Sequence, residues 1–337
     1  DMNKCILCRR CVSTCKRVQD IGAIESTNRG FESAISTAGD LSLNDVDCTF
    51  CGQCIESCPT GALREKDNTE KVFEKIADKD TFTIVQTAPA VRVGLGEEFE
   101  NPIGTNVEGK MVTALKRLGF DKVFDTNTGA DFTIMEEATE FISRFSKGEN
   151  LPMMTSCCPA WVRFVEKNFP EQTKHLSSCK SPHEMFGAIL KSYYAQKMNL
   201  DPKKIFVVSV MPCVAKKYEA QREEMEVDGN RDVDAVITTR ELARMIKERD
   251  IEFNELEDSK YDDPMGEATG AAAIFGTTGG VMEAALRTAQ DILTCQDLPK
   301  IEFEAVRGGK GIKKATVNVA GNDITVVAAS GLANAQK

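Results

Sequence analysis

Cysteines are the residues of this chain whose number and spacing most clearly indicate a chemical function. The 337 residues include 13 cysteines. Eight of them form two runs with one shared spacing, C-x2-C-x2-C-x3-C, and the second run is followed by proline. The runs are Cys5, Cys8, Cys11 and Cys15, and Cys48, Cys51, Cys54 and Cys58. An odd cysteine count and no recognisable secretion signal argue against a disulfide framework, so metal ligation is the favoured use.

The spacing also indicates which metal group is bound. In runs of this form three closely spaced thiolates hold one cubane iron–sulfur cluster, and the fourth thiolate crosses to the other cluster. We therefore predict two [4Fe-4S] clusters. One would be held by Cys5, Cys8, Cys11 and Cys58, and the other by Cys48, Cys51, Cys54 and Cys15. Zinc is the alternative, but zinc sites mostly use two separated C-x2-C pairs.

Two further thiols stand side by side in LPMMTSCCPAW, residues 151–161. Adjacent side chains generally point in different directions, so Cys157 and Cys158 can serve different purposes. Cys213 closes another apolar segment, KIFVVSVMPC. We predict that Cys158 and Cys213 bind metal; the alternative is that they are ordinary buried cysteines, which we expect of Cys179 and Cys295.

The pattern of apolar residues predicts the elements that position these thiols. Strands are expected in TFTIVQTAPA, ending at Pro89, in residues 204–213, and in ITVVAAS near the end of the chain. VDAVITTRELARMIKE reads as a strand followed by a helix capped near Thr239. Alternation of strands and helices predicts mostly parallel α/β sheets.

The expected fold is an α/β domain of two lobes over residues 79–337, preceded by a small α+β ferredoxin-like domain over residues 1–78. Sites in parallel sheets collect beyond the carboxyl ends of the strands. Pro89 and Cys213 follow predicted strands, and Cys157 and Cys158 follow the short strand-like segment LPMMT. We therefore expect these residues to share one crevice.

The chain contains three longer motifs, which occur in the order TSCCPAW, VMPCVAKKYEA and MGEATGAAAIFGTTGGVMEAALR. Together they closely resemble the catalytic domain of iron-only (FeFe) hydrogenases, and the resemblance covers nearly the whole chain. Such enzymes interconvert hydrogen with two protons and two electrons. Their active site, the H-cluster, is a [4Fe-4S] cluster bridged by a cysteine sulfur to a two-iron unit that carries carbon monoxide, cyanide and an azadithiolate bridge.

The resemblance implies a role for each thiol of the second part of the chain. Cys158 and Cys213 would ligate the active-site cubane, and Cys157 would pass protons to and from the bridging amine. Lys216 would donate a hydrogen bond to the cyanide on the distal iron, because an ammonium group suits an anionic ligand.

Further residues would complete the cofactor pocket. Met211 and Phe275 would line it, and Pro89 and Ala90 would offer backbone donors to the other cyanide. Many relatives have serine at the position of Ala90. His183, in SPHEMFG, stands where relatives often have glutamine.

A proton route is suggested by the predicted helix at residues 131–145. Its apolar stripe consists of Ile134, Ala138, Phe141 and Phe145. Glu137, Glu140 and Arg144 share the adjacent face, and Glu137 lies nearest the stripe. Burial raises the pKa of a carboxyl group and suits it to proton transfer. The resemblance implies a relay through these residues and Ser177 to Cys157; a solvated charged face is the alternative.

Two other stretches are expected to have no catalytic role. The charged run at residues 222–232 should be a solvated loop or helix end. The sequence GTTGG, residues 276–280, lacks the lysine and hydroxyl residue of a phosphate-binding loop.

Relatives also carry a C-x3-C motif that supplies two more cubane ligands, and this sequence stops before it. The residues given therefore offer two of the four ligands, Cys158 and Cys213, and the H-cluster is expected to be absent or incomplete here. Either the motif lies in a segment beyond residue 337, or the chain is a non-catalytic relative. The first is favoured by the presence of Cys157, Lys216, Glu137 and Glu140.

Three function classes remain: a hydrogenase, a pure electron-transfer subunit, and an iron–sulfur assembly protein. Expected partners are a soluble ferredoxin, or flavin-, NAD(P)H- or formate-oxidising subunits of a hetero-oligomeric complex. The net charge of −10 argues against nucleic acid and predicts repulsion from an acidic ferredoxin. No apolar run is long enough to cross a membrane, and oxygen-sensitive clusters suggest an anaerobic cytoplasm.

Overall fold

The computed structural model of the chain describes residues 1–266, 268–298, 301–306 and 309–337. It divides into two compact units. The first unit comprises residues 1–66, 141–177 and 286–337. The second comprises residues 67–140 and 178–285.

The secondary structure elements are numbered here along the chain. The strands are β1 (Glu25–Thr27), β2 (Ala34–Ser36), β3 (Phe82–Thr87), β4 (Lys122–Asp125), β5 (Ile205–Val210), β6 (Glu226–Val227), β7 (Asn230–Arg231), β8 (Ala235–Ile237), β9 (Glu304–Ala305), β10 (Ile312–Val319) and β11 (Asn322–Ala329). The α-helices are α1 (Arg10–Ser13), α2 (Gln53–Glu56), α3 (Thr69–Ala77), α4 (Val91–Gly94), α5 (Glu108–Leu118), α6 (Asn127–Lys147), α7 (Pro159–Asn168), α8 (Pro182–Ile189), α9 (Ala195–Met198), α10 (Ala215–Glu219), α11 (Thr239–Glu248), α12 (Gly270–Ile274), α13 (Gly280–Thr294) and α14 (Leu332–Ala335).

The second unit is built on a parallel four-stranded sheet in the order β4-β3-β5-β8. All six residues of β5 are buried, as expected for a central parallel strand whose two faces are both covered by helices. Helices α5 and α11 contribute apolar faces to the same core, through residues such as Leu115 and Leu242. The predicted α/β fold class is confirmed.

Helix α8 is held very close to its neighbours by two glycines. A Cβ atom on Gly129 of α6 would lie 2.3 Å from the carbonyl oxygen of Pro182, and one on Gly187 would lie 2.4 Å from that of Asp232. Pro182 occupies the start of α8, where its missing N–H needs no partner. This tight packing fixes the first turn of α8, which carries His183 and Glu184.

The first unit contains both cysteine runs and two antiparallel sheets, β1-β2 and β11-β10-β9. The segment ITVVAAS is therefore a strand, as expected, but it pairs antiparallel in a hairpin, with Thr325 opposite Thr316. Its burial alternates because one face of the hairpin is open, whereas strands of a covered parallel sheet are buried on both faces.

Several local predictions were wrong in detail. LPMMT forms a single bridge between Met154 and Leu176 instead of a strand. The cap of helix α11, by contrast, lies near Thr239 as predicted: the Thr238 hydroxyl accepts from the Glu241 N–H. The charged run at 222–232 forms a small hairpin, but its last residue, Asp232, is buried with Lys180 as its ion-pair partner. Cys179 is half-buried and Cys295 exposed, so neither is a core cysteine.

Among the residues that the structure describes, no helix combines the length and apolar character needed to span a bilayer.

The packing of α8 against α6 predicts a large effect of one added methyl group. Gly129→Ala should lower the free energy of unfolding by about 1–3 kcal/mol or more, because the new Cβ meets backbone atoms that cannot move aside. Thermal unfolding of the purified protein measures this loss. The control is Gly94→Ala in α4, where nothing lies within 4 Å of the new Cβ. Equal unfolding temperatures for the two variants would contradict the close approach.

Candidate functional site

Four thiols from the two runs line one cavity of the first unit: Cys5, Cys8, Cys11 and Cys58. Helix α1 carries Cys11, and Pro59 and Leu63, which follow Cys58, also line the cavity. Backbone N–H groups of Leu63 and Thr60 lower the pKa of the Cys58 thiol to about 7. Because a thiolate is the form that binds metal, these donors favour the ligand state, and the four sulfurs fit an iron–sulfur cluster.

The other four thiols, Cys15, Cys48, Cys51 and Cys54, influence one another electrostatically. Burial raises the pKa of Cys54 to about 12, and the neighbouring thiolates of Cys51, Cys48 and Cys15 add to this. Burial also raises the pKa of Cys48, with contributions from Cys51 and Cys15. Four thiolates brought this close repel each other unless a cationic group lies between them. The second set therefore also fits a cluster, and Cys15 accompanies the later run.

Helix α7 anchors the loop that carries the second set. Arg163 Nε donates to the carbonyl oxygen of Cys48 at 2.7 Å, and its guanidinium lies 4.8 Å from the Phe50 ring centroid. One turn later, Lys167 Nζ donates to the carbonyl of Val46 at 2.6 Å. Sequence reasoning missed both residues, because WVRFVEK reads as an ordinary amphipathic helix.

The adjacent cysteines lie just before the same helix. Cys157 is half-buried and Cys158 exposed, and α7 begins at Pro159. The preceding segment is fixed by two hydrogen bonds, from Met154 N to the His175 carbonyl at 2.8 Å and from Ser177 N to the Met154 carbonyl at 2.7 Å. Ser177 is thus held next to the segment that leads into Cys157.

Arg144 has a structural role in this part of the first unit. Its guanidinium donates to the carbonyl of Leu176 at 2.7 Å and to that of His175 at 3.3 Å. These bonds hold the residues that immediately precede Ser177.

Helix α6 presents the two predicted carboxylates in the second unit. Glu137 is 2% exposed, and Ile134 and Ala138 of the predicted stripe are buried, which confirms that Glu137 lies at the apolar face. Glu140 accepts hydrogen bonds from the Ser178 hydroxyl at 3.0 Å and from the Cys179 thiol at 3.7 Å.

Neither Ser178 nor Cys179 was predicted to be a site residue, since no pattern in the sequence connects them to α6. The solvated-face alternative does not hold for Glu137.

The carboxyl ends of β3 and β5 lie together, as predicted for parallel neighbours. Ala88 N donates to the Val210 carbonyl at 3.0 Å, and Met211 N donates to the Ile237 carbonyl at 2.9 Å. The segments that follow β3, with Pro89 and Ala90, and β5, with Met211 and Cys213, therefore leave the sheet at the same edge. Proline has no N–H group, so Ala90 alone of this pair can be a backbone donor, contrary to the expectation for Pro89.

Phe275 follows α12 and is half-buried in the second unit. Lys216 stands in the first turn of α10, and its backbone N–H donates to the Cys213 carbonyl at 3.2 Å. Its ammonium lies 2.8 Å from Glu219 Oε2, one turn further along α10. Glu219 was not predicted to be a site residue. Its i, i+3 spacing from Lys216 in the sequence KKYE is the pattern that indicates this ion pair.

A buried hydrogen-bond chain extends from this ion pair. His183 Nε2 lies 2.7 Å from the same Glu219 oxygen, and His183 Nδ1 lies 3.2 Å from the Ser209 hydroxyl. Burial raises the pKa of Glu219, but Lys216 and His183 outweigh it and lower that pKa to about 2. Burial and the Lys216 ammonium lower the pKa of His183. The chain therefore contains an ionised Glu219 between a neutral imidazole and an ammonium group.

Comparison with known proteins gives two family matches. Residues 81–337 match the model "Iron only hydrogenase large subunit, C-terminal domain", and residues 4–62 match the "4Fe-4S dicluster domain".

The NADP-reducing hydrogenase subunit HndD of Solidesulfovibrio fructosivorans is 52% identical over 100% of this chain and 59% of its own length. Iron hydrogenase 1 of Clostridium pasteurianum is 49% identical over 99% of this chain and 58% of its own length. The chain thus spans less than two thirds of these relatives.

A solved structure of an apo [FeFe]-hydrogenase, HydA1 from Chlamydomonas reinhardtii, superposes with a TM-score of 0.72. The match has 38% identity and covers 80% of this chain and 77% of that one. Family models, sequence relatives and fold agree. With its two sets of four cysteines and its parallel-sheet unit, the chain belongs to the iron-only (FeFe) hydrogenase large-subunit family, and its first 66 residues carry a [4Fe-4S] dicluster domain.

Proposed function

We propose that this chain is the catalytic part of a hydrogenase that interconverts H2 with protons and electrons. The observation that carries the proposal is the burial of Glu137, which is 2% exposed on a helix whose next turn bears Glu140. Burying a carboxyl group is costly. A buried carboxyl group followed one turn later by Glu140 suits a proton route, which neither an electron-transfer subunit nor an assembly protein needs.

When bound, the H-cluster supplies the metal chemistry of hydrogen cleavage and formation. Cys158 and Cys213 are proposed as two of its cubane ligands, and thiol sulfur is the donor that such a cluster requires. Met211 is 5% exposed and Phe275 half-buried, which suits residues that exclude water from a pocket. Lys216 presents a positive charge held by Glu219, as recognition of an anionic cyanide ligand requires.

Protons are proposed to move through Glu140, Ser177 and Glu137 to Cys157, with Arg144, which stays protonated, as a positioning residue that holds the segment before Ser177. Cys157 is half-buried and next to a proposed ligand, so its thiol can hold a proton near the cofactor without binding iron. Glu140 already accepts hydrogen bonds from a hydroxyl and a thiol, which fits a group that exchanges protons with neighbours.

Electrons are proposed to enter through the dicluster domain from a partner of the same complex. Residues 4–17, which carry the exposed Cys8, contain basic but no acidic side chains, and Lys4, Arg9, Arg10 and Arg17 are exposed, although the chain as a whole is acidic. This segment is the part of the domain proposed to attract an acidic partner. An acidic electron carrier, such as a ferredoxin or the acidic face of a flavin- or NAD(P)H-oxidising subunit, is the fitting partner.

Replacing the proton-handling thiol should abolish turnover without removing the cofactor. In the full-length, maturated protein, Cys157→Ala should lower hydrogen evolution and uptake by at least about 100-fold, because a general acid–base group contributes at least this much. Gas chromatography of evolved hydrogen, with dithionite as the reductant, measures the loss. The control Cys295→Ala removes an exposed thiol outside all motifs and should keep full activity. A fully active Cys157→Ala variant would favour the electron-transfer or assembly function.

The charge of Arg163 should set the reduction potential of the cluster beside Cys48. Arg163→Gln should lower that potential by some tens of millivolts, since a unit charge within about 10 Å contributes about 1–2 kcal/mol at an effective dielectric constant of about 20. A redox titration followed by electron paramagnetic resonance measures the shift. Arg163→Lys keeps the charge and should retain most of the potential; equal shifts in both variants would rule out the charge as the cause.

The basic segment at residues 4–17 predicts a salt-dependent reaction with an acidic carrier. The rate of reduction by a reduced, acidic ferredoxin should fall as ionic strength rises, and the double variant Arg9→Gln, Arg10→Gln should be slower at low salt. Stopped-flow absorbance measures both rates. Reduction by the small reductant dithionite should not distinguish the proteins. A ferredoxin rate that rises with salt would contradict this partner chemistry.

A further inference from the structure

A buried carboxyl group that the proposed mechanism does not use lies beside the Lys216–Glu219 pair. Glu184, in the first turn of α8, is 0% exposed, and neither of its side-chain oxygens has a hydrogen-bond partner among the described residues. Its Oε1 lies 3.4 Å from His183 Nε2. An unpaired buried carboxylate is strongly unfavourable, so this group must hold a proton or meet a cation.

The nearby side-chain cations already have other anionic partners. Lys216 Nζ is 2.8 Å from Glu219 Oε2, and Lys180 Nζ is paired with Asp232. His183 Nε2 lies 2.7 Å from Glu219, closer than its distance to Glu184. Each carboxylate of the cluster except Glu184 is thereby matched with a donor or a positive charge.

A divalent metal ion is the competing explanation. His183, Glu184 and Glu219 each offer a ligand atom, and these atoms lie within 4.8 Å of one another. However, Lys216 already places a positive charge against Glu219, and a metal ion at this point would be repelled by it or would have to displace it. A single proton on Glu184 removes the uncompensated negative charge without moving any group.

We propose that Glu184 stays protonated at neutral pH and that, together with His183, it positions the ammonium group of Lys216 through Glu219. Glu219 Oε2 accepts from both His183 Nε2–H and Lys216, while the Ser209 hydroxyl donates to His183 Nδ1. One carboxylate oxygen thus holds Lys216 in a fixed direction. A second anion at Glu184 would compete for both donors, and a neutral acid does not.

The electrostatics of the surrounding groups agree with this arrangement. Burial, followed by the carboxylates of Glu219 and Asp232, raises the pKa of Glu184 well above its ordinary value, and Lys216 and Lys180 oppose this without outweighing it. The positioning role rests on the proposed function, since Lys216 is taken to meet the cofactor. The protonation of Glu184 does not depend on it.

The first experiment tests the proton in full-length protein that carries its iron–sulfur clusters but no diiron unit. The infrared difference spectrum at neutral pH between wild type and Glu184→Gln should show the C=O stretching band of a carboxylic acid, shifted in D2O and lost in the variant. Glu241→Gln is the matched control, because Glu241 is also buried, at 3% exposed, but is ion-paired with Lys217 at 2.8 Å. The spectrum of the Glu241→Gln protein should keep the C=O stretching band of the carboxylic acid. Loss of a carboxylate band in place of the acid band would overturn the proposal.

The same proton predicts the pH dependence of stability. Between the ordinary glutamate pKa of about 4.3 and the raised value, the folded protein holds one more proton at this site than the unfolded chain. The contribution of Glu184 to the free energy of unfolding therefore falls as pH rises. Glutamine at this position does not titrate, so the Glu184→Gln protein does not lose this stability. The unfolding temperature of the variant relative to wild type should rise between about pH 6 and about pH 8.5. A relative unfolding temperature that is constant or falls would contradict a raised pKa.

The second experiment tests the positioning role in maturated protein. His183→Ala should shift the cyanide stretching bands, because Glu219 loses the donor that orients its carboxylate and the direction of the Lys216 ammonium is no longer fixed. His183→Gln, which can still donate to Glu219, should restore them. Ser209→Ala probes the same chain without removing the ring and should give a smaller shift in the same direction.

Unchanged cyanide bands in His183→Ala would overturn the positioning role and leave the hydrogenase assignment intact. Absence of cyanide bands in the wild type would instead overturn the proposed function, and with it the positioning role. The protonation of Glu184 is decided in either case by the first experiment.

Discussion

The cost of burying charge governs every chemically active part of this chain. Each buried ionisable group must meet an opposite charge, a set of hydrogen-bond donors, or a proton. Burial and mutual repulsion raise the pKa of thiols such as Cys54 and disfavour their thiolate form. The irons of the two clusters supply the positive charge that compensates the two sets of four thiolates. Glu219 is compensated by Lys216 and His183. The residue types differ, but the constraint that arranges them is the same.

The fold provides the positions at which this compensation is possible. In the second unit, β3 and β5 end together, and short connections lead to Ala90 and to α10 with Lys216. Close approach at Gly129 and Gly187 then seats the first turn of α8, so that His183 and Glu184 are fully enclosed. In the first unit, α7 ties the loop of Cys48 to the residues that follow Cys158. Backbone geometry thus determines which charges lie close together.

The cysteine runs, the central strands and helix α6 could be predicted from sequence, because their information is local. Ligand spacing, an unbroken apolar run and a 3.6-residue period each occur within a few neighbouring residues. Glu184, Ser178 and Arg163 could not be predicted, since their contacts join segments far apart in the chain. LPMMT was taken for a strand because its apolar residues resemble one, but a strand needs more than the single bridge it forms. Pro89 was expected to donate a hydrogen bond although proline lacks the N–H group, which the residue type alone excludes.

The central claim is that the family's cofactor is bound and used by this chain within its full-length protein. The most direct measurement is the infrared spectrum of that protein after maturation, in the region of metal-bound carbon monoxide and cyanide, together with its iron content. The account predicts sharp bands from both ligands and more iron than two [4Fe-4S] clusters supply. A maturated protein with the iron of those two clusters alone and without such bands would contradict it.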